Sequence, residues 1–530
     1  MIAAQVPRTA NCELRTPPPG FLTPRRSART AWSVKSRLPA FLGGAAAFLA
    51  LLVAALPLRA DVEHTVAPGE SLWLIARAYH VTVDALRDAN ELGESDRINA
   101  GQALRIPAPP AAAPQSPRPT PAPPPRPVPT ANGQEPMAAF PPDGLIVPTA
   151  IEDPTGEALR LFFAALDSVA RGTPGAVARV LHFGDSHTAS TPFTAGIREE
   201  LVARFGDAGP GFLQPGKPWG SYNPQDVDVG VSGTWTFDRV RRTSDGNLAD
   251  GLYGLGGFSA RSAEPDAAVW IATEEGRTAS GFEVEYLEQP GGGAADLLLD
   301  GAVVARIESA AHETAAARHR VQTEDAAHRF EIRAVGDGEF RLLGLEVERP
   351  GPGVLYDVLG LNGARADWLL SWDAELLADD LARRDADLVV LMFGTNEVED
   401  ADLDLERYAQ DLAKTLDLVH GASPSASCLV LAPPDLSQRK RRRFIGTPEA
   451  LPQLVERQRA AARDAGCAFF DTLAAMGGPG AMDRWAAMDP PLAAQDRVHL
   501  TARGYRALGQ AIADALLHAY DARQLPHDAR

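Results

Sequence analysis

From about residue 146 onward, hydrophobic positions gather into short unbroken runs rather than alternating. Ala178-Arg179-Val180-Leu181-His182-Phe183, Asp387-Leu388-Val389-Val390-Leu391-Met392-Phe393, Ser427-Cys428-Leu429-Val430-Leu431-Ala432 and Cys467-Ala468-Phe469-Phe470 are the clearest. Helix-like stretches separate them, one at about 192–205 and another at 501–519 near the C-terminus. A strand that is apolar on consecutive positions must be covered on both faces. The pattern therefore predicts an α/β domain with a parallel sheet between helices.

Between 213 and 352 the period changes to two. Phe282-Glu283-Val284-Glu285-Tyr286-Leu287 alternates, and Leu297-Leu298-Leu299-Asp300-Gly301-Ala302-Val303-Val304 carries an Asp-Gly hairpin signal. Phe330–Ala334 and Phe340–Val347 flank Gly336-Asp337-Gly338 as two more strands. An all-β sandwich is expected here, inserted into an α/β domain that comprises 146–212 and 353–522.

The N-terminal part has three textures. Arg25, Arg26, Arg29, Lys35 and Arg37 precede an apolar run over 38–58, so 1–60 reads as a cytoplasmic n-region followed by a signal peptide or signal anchor. The run is long enough to span a bilayer, and Leu58 and Arg59 before Ala60 make a poor cleavage site. Both points favour an anchor in the inner membrane, with everything after it exported to the periplasm or cell envelope. Residues 62–107 form a small unit in which Pro68-Gly69 makes a turn and Glu70-Ser71 opens a helix presenting Leu72, Ile75 and Ala76 on one face. Residues 108–145 are rich in Pro and Ala and read as a semi-rigid polyproline II tether.

Charge and cysteine content narrow the chemistry. The net charge of −18 excludes a nucleic-acid partner, which needs a basic face. The three cysteines, Cys12, Cys428 and Cys467, form no CxxC, and no His/Cys cluster has zinc-ligand spacing, so neither a metal nor a cofactor is expected. Cys428 and Cys467 open two of the predicted strands; a disulfide and a pair of buried thiols are both compatible with their spacing.

Four blocks in fixed order carry the candidate chemistry: Gly184-Asp185-Ser186-His187, Asn362-Gly363-Ala364, Gly394-Thr395-Asn396-Glu397 and Asp496-Arg497-Val498-His499. Ser186 follows a strand and precedes a helix, a position that exposes a hydroxyl and its backbone N–H to one space. Asp496 stands three residues before His499, close enough to hold the imidazole in one tautomer. Gly363 offers an unobstructed N–H and Asn396 an amide. These are the parts of an acyl-transfer site: a serine, a histidine with its carboxylate, and oxyanion donors. Taken singly, the blocks read as a turn, a loop glycine and a capped surface histidine; their joint order points to catalysis.

Two resemblances follow from these residues. His64-Thr65-Val66-Ala67-Pro68-Gly69-Glu70-Ser71-Leu72-Trp73-Leu74-Ile75-Ala76, continuing through Tyr79, Val83, Leu86, Asn90, Ile98–Gln102 and Leu104–Pro107, resembles a LysM repeat. That resemblance implies a βααβ fold binding N-acetylglucosamine-containing glycans, above all peptidoglycan. The four blocks resemble the SGNH (GDSL-like) hydrolase superfamily, which implies a flavodoxin-like three-layer fold. His187, the Gly394–Glu397 form, Phe205-Gly206-Asp207-Ala208-Gly209-Pro210-Gly211-Phe212 and the β insertion are similar to its peptidoglycan O-acetylesterase branch.

The hydrolase resemblance implies Ser186 as nucleophile, His499 as general base and Asp496 as its orienter. It also implies an oxyanion hole from Ser186, Gly363 and Asn396, with Asp185, His187 and Glu397 in support. The expected reaction is hydrolysis of an O-acetyl ester of an acetylated glycan, at O6 of N-acetylmuramic acid. An O-acetyltransferase, an esterase of another polysaccharide and a non-catalytic glycan-binding scaffold are the alternatives. His182, inside a strand, reads as a core residue. Lys440-Arg441-Arg442-Arg443 reads first as a solvated loop, and second as a seat for an anionic glycan or stem peptide.

Overall fold

The structure, a computed structural model, describes residues 62–66, 75, 86, 89, 90, 92, 101–107, 146–240, 247–400, 402–441 and 443–523. The apolar run 38–58 and the tether 108–145 lie outside the described residues. Among the described residues no helix is long and apolar enough to cross a membrane. The chain divides into two units, Met1–Thr130 and Ala131–Arg530.

In the first unit, β1 (Val62–Thr65) pairs antiparallel with β2 (Ala103–Ile106). Val66, Ile75, Leu86, Leu104 and Ile106 make its core. Asn90 clamps this core. Its amide donates to the Leu86 and Arg105 carbonyls at 2.8 and 2.7 Å, and its oxygen accepts from the Arg105 N–H at 2.6 Å. The side chain thus substitutes for a neighbouring strand on β2.

In the second unit, α1 (Arg160–Ala170), β3 (Val177–Gly184) and α2 (Thr191–Phe205) come first. β4 (Gly211–Leu213) then leads into β5 (Val227–Ser232), β6 (Thr236–Arg239), β7 (Phe258–Ser262) and β8 (Ala268–Thr273). β9 (Ala279–Glu288), β10 (Ala294–Leu299), β11 (Ala302–Glu308), β12 (Ala315–Ala326), β13 (Arg329–Ala334) and β14 (Phe340–Glu348) follow. These strands form two facing sheets, β11-β10-β13-β8-β5 and β12-β9-β14-β7-β6, with β4 added on β14. Phe282 of one sheet stacks on Phe330 of the other, centroids 4.8 Å apart, inside a shared apolar core. Asp300 and Gly301, both at positive φ, make the tight turn between β10 and β11 that their sequence demands.

The chain then returns to the α/β layer: β15 (Gly353–Gly360), α3 (Ala374–Arg384), β16 (Leu388–Met392), α4 (Thr395–Val398), α5 (Leu405–Ala422) and β17 (Ser427–Leu431). A small hairpin, β18 (Arg439–Lys440) and β19 (Arg443–Phe444), precedes α6 (Ala450–Asp464) and β20 (Ala468–Phe470). Two short helices, α7 (Thr472–Ala475) and α8 (Ala481–Ala486), lead to the long α9 (Ala502–Ala522). The parallel sheet has the order β15-β3-β16-β17-β20, which is the flavodoxin-like 2-1-3-4-5.

Successive β16 side chains show why this sequence needs two helical layers. Leu388, Val390 and Met392 pack with α1, α2 and α9, whereas Val389 and Leu391 pack with α3, α5 and α6. Cys428 and Cys467 are disulfide-bonded, joining β17 to the start of β20. His182 is fully buried with its Nδ1 2.8 Å from the Tyr356 hydroxyl; burial lowers its pKa to about 3, so it stays neutral.

A buried ion network fastens the sandwich to the α/β layer. Arg384 of α3, 2% exposed, reaches Asp357 of β15 at 2.6 and 2.9 Å and Glu346 of β14 at 2.6 Å. Asp357 also accepts from the Phe212 N–H at 2.7 Å. Removing one member of such a group strands the opposite charges out of water. Arg384→Met is therefore expected to destabilise the protein by about 3–5 kcal/mol, read from the urea midpoint of unfolding. A loss below about 1 kcal/mol would refute this account of the junction.

Candidate active site

The first three blocks stand at the C-terminal ends of adjacent parallel strands, where an open α/β sheet places its ligands. Gly184 ends β3 opposite Gly360 of β15 and Met392 of β16. A Cβ at Gly184 would lie 2.8 Å from the Met392 carbonyl, so the three chains can converge only around a glycine. The Leu361 N–H donates to the Gly184 carbonyl at 2.9 Å and the Asp185 N–H to the Met392 carbonyl at 3.2 Å. A turn over 186–189 carries Ser186 before α2 begins at Thr191, close to the helix start at about 192 that the sequence predicts.

Block four approaches from the loop before α9. His499 Nε2 is 2.9 Å from Ser186 Oγ, and its Nδ1 is 2.8 Å from Asp496 Oδ2. The other Asp496 oxygen accepts the Val498 and His499 N–H groups at 3.0 and 2.9 Å, which fixes the carboxylate by its own loop. That hydrogen-bonding holds Asp496 well below the usual carboxylate range, and the Asp496 contact raises His499 above the ordinary imidazole value. With Nδ1–H committed to Asp496, the Nε2 lone pair faces the serine hydroxyl.

Gly363 is the third residue of a turn closed by the Ala364 N–H on the Leu361 carbonyl at 2.9 Å. Its φ of +80° is the conformation such a turn reserves for glycine. Asn396 donates one amide hydrogen to the Ala364 carbonyl at 2.8 Å, which ties block three to block two. Among the described residues its second amide hydrogen and the Gly363 N–H find no acceptor. Glu397 supports both: its carboxylate accepts from the Ala366 N–H at 2.9 Å and the Gly394 N–H at 3.1 Å, and burial raises its pKa to about 7. Asp185, raised by burial to about 6, accepts the His187 N–H at 2.8 Å. His187 is fully buried, lies 2.9 Å from the Tyr505 hydroxyl, and is kept neutral by a pKa lowered to about 3; its ring packs 5.5 Å from that of His499.

A cleft of about 640 Å³ opens over Ser186 and His499, within the range of small-molecule sites. The inserted sandwich and its entry loop supply one wall, with Trp219, Asn223, Glu274 and Arg277; Asn362 and Arg506 line the rest. Sequence reasoning missed the sandwich residues because no motif marks them. Trp219 is held edge-on by Tyr222 and tilted on Phe258, and Arg277 is held by Asp226 at 2.9 Å. Among the described residues, the grouping closest to a metal cluster is His420 with Cys428 and Cys467, and those two cysteines are bonded to each other.

The chain carries a GDSL-like hydrolase domain and, N-terminal to it, a LysM domain, which supports a hydrolase acting on esters. Residues 335–507 match the GDSL-like Lipase/Acylhydrolase family and residues 64–107 match the LysM domain. The family match begins inside the sandwich, so Ser186 lies outside it. A solved peptidoglycan O-acetylesterase in action is similar over 68% of this chain and 96% of its own, at 26% identity and a TM-score of 0.58. A family two carbohydrate esterase from Clostridium thermocellum in complex with cellohexaose is similar over 53% of this chain and 98% of its own, at 10% identity and a TM-score of 0.26. A carbohydrate acetylesterase from Sinorhizobium meliloti covers 31% of this chain and 79% of its own, at 22% identity and a TM-score of 0.24. The last two are too distant to bear on this chain. Among curated proteins none matches.

Proposed function

We propose that this chain is a serine esterase of the cell envelope that removes O-acetyl groups from peptidoglycan, at O6 of N-acetylmuramic acid. The observation that carries the reading is the continuous hydrogen-bonded line from Ser186 through His499 to Asp496 at the floor of an open cleft. Its substrate rests on the 26% identity with the peptidoglycan O-acetylesterase and on the LysM domain, a glycan-binding module on the same chain. The disulfide suits an oxidising compartment outside the cytoplasm.

In this mechanism Ser186 Oγ attacks the acetyl carbonyl carbon while His499 Nε2 takes the hydroxyl proton. The oxyanion that forms is stabilised by the Ser186 and Gly363 N–H groups and the free amide hydrogen of Asn396. Collapse breaks the ester bond, and His499 returns the proton to the departing sugar hydroxyl. Water, deprotonated by His499, then attacks the acetyl-serine, and as the acyl–Oγ bond breaks His499 returns the proton to Ser186 Oγ and acetate leaves. Asp496 keeps the ring oriented and stabilises its cationic form throughout.

Acetate release from O-acetylated peptidoglycan should exceed release from acetylated xylan on the order of tenfold or more in kcat/KM. Equal rates, or faster release from xylan, would refute peptidoglycan as the substrate and leave the esterase chemistry standing.

A further inference from the structure

The β18–β19 hairpin is a built element that the esterase mechanism does not use. Arg439 pairs with Phe444 and Lys440 with Arg443, and Gln438 and Gly446 close the base. Arg439, Lys440, Arg441 and Arg443 are exposed and make no ion pair among the described residues. In a chain of net charge −18, where arginines such as Arg384, Arg318 and Arg341 are each locked to carboxylates, four unneutralised cations on one hairpin stand out.

The hairpin is anchored directly to block four. The Ser437 N–H donates to the Arg497 carbonyl at 2.8 Å, and the Arg497 guanidinium lies 4.3 Å from the centre of the Phe444 ring. Arg497 itself is spoken for, since it donates to Asp483 at 2.6 Å, and it sits at φ +54° between Asp496 and His499. The free charges are therefore those of the hairpin, and they stand beside the loop that carries His499.

We propose that hairpin 438–446 is a subsite for the carboxylates of the peptide stems borne by the glycan being deacetylated. The proposal rests on the peptidoglycan reading of the serine site. In that polymer the peptide hangs from the lactyl group at O3 of the same sugar whose O6 carries the acetyl ester, so ester and carboxylates arrive on one residue. Guanidinium groups pair with carboxylates by two parallel hydrogen bonds, which matches the chemistry of a peptide stem. A lipid surface would meet the hairpin without delivering an acetyl ester to Ser186, whereas the stem arrives on the sugar that carries it, so the position of the hairpin favours the stem.

The test uses the full chain with Arg439→Gln, Lys440→Gln, Arg441→Gln and Arg443→Gln combined. Its substrates are O-acetylated peptidoglycan with stems, the same strands with the stem carboxylates converted to amides by ammonia and a carbodiimide, and p-nitrophenyl acetate. The variant should lose about tenfold in kcat/KM on strands with free stem carboxylates, keep the wild-type rate on the amidated strands, and show by unchanged p-nitrophenyl acetate hydrolysis that the site is folded. High salt should shrink the wild-type preference for stems, and a variant with the three arginines replaced by Lys should keep only part of that preference, since an ammonium group supplies the charge without the two parallel hydrogen bonds.

A variant indistinguishable from wild type on stem-bearing strands overturns the subsite while leaving the peptidoglycan reading intact. So does hairpin-dependent binding to phosphatidylglycerol vesicles without any stem preference. A wild-type enzyme that cleaves p-nitrophenyl acetate but releases acetate from neither polymer overturns both.

Discussion

Ser186→Ala should abolish acetate release, lowering kcat by about five to six orders of magnitude, or about 7–8 kcal/mol of transition-state stabilisation. The loss is large because the serine and histidine act as one unit: without Oγ, the proton acceptor of His499 has nothing to activate. The substitution removes one half-buried oxygen, whose hydrogen-bond partner His499 Nε2 can turn to water at the mouth of the cleft. Stability should therefore change by less than about 0.5 kcal/mol. Binding to insoluble peptidoglycan through the LysM domain should be unaltered. Measured together, acetate release and pull-down separate the two activities. Esterase activity retained by Ser186→Ala would remove the serine from the mechanism.

Asp496→Asn should be the next most damaging change, with a fall in kcat of about 10²–10⁴-fold and an altered pH profile. Asn can still cap the Val498 and His499 N–H groups, so the loop should hold its shape. What it loses is the charge that fixes the Nδ1–H tautomer. The sign of the pH effect follows from the raised His499 pKa, whose first cause is the Asp496 hydrogen bond. A raised value keeps the ring protonated to higher pH, and a protonated ring cannot take the Ser186 proton. Wild-type activity should thus be lost as pH falls through a midpoint above the ordinary 6.5 of histidine. In Asp496→Asn that midpoint should move down. A profile of kcat/KM against pH with a small acetyl ester measures both, and an unmoved midpoint would argue that Asp496 does not control the ring.

Much of the fold was legible because parallel strands covered on both faces leave an unmistakable mark. Leu388–Met392 and Ser427–Leu431 are unbroken apolar runs since alternate residues enter two different helical layers. Glycines and Asp-Gly pairs were equally readable, because only certain residues tolerate positive φ. β15 was not singled out: Gly353-Val-Leu-Tyr-Asp-Val-Leu-Gly360 contains a buried aspartate, and only its pairing with Arg384 explains how a carboxylate can sit in that strand. The sandwich strand β12, Ala315–Ala326, also escaped notice; it is a largely exposed edge strand, so burial imposes little pattern on it.

The sequence by itself determined the candidate chemistry. Ser186, Gly363, Asn396, Asp496 and His499 are recognisable because each block encodes its own local geometry: a strand-end turn, a glycine turn, a capped short helix and an Asx-type loop. Tertiary structure decided what stands opposite them. The cleft wall from Trp219 to Arg277 comes from residues whose neighbours in sequence say nothing about Ser186, brought there by the docking of β4 and β14 against β15. The same holds for the basic hairpin, whose charges are plain in the sequence but whose attachment to the His499 loop is not. Local backbone preference is written residue by residue and can be read that way. Contacts between segments 53 to 313 residues apart depend on the packing of whole layers, and no short stretch of chain carries that information.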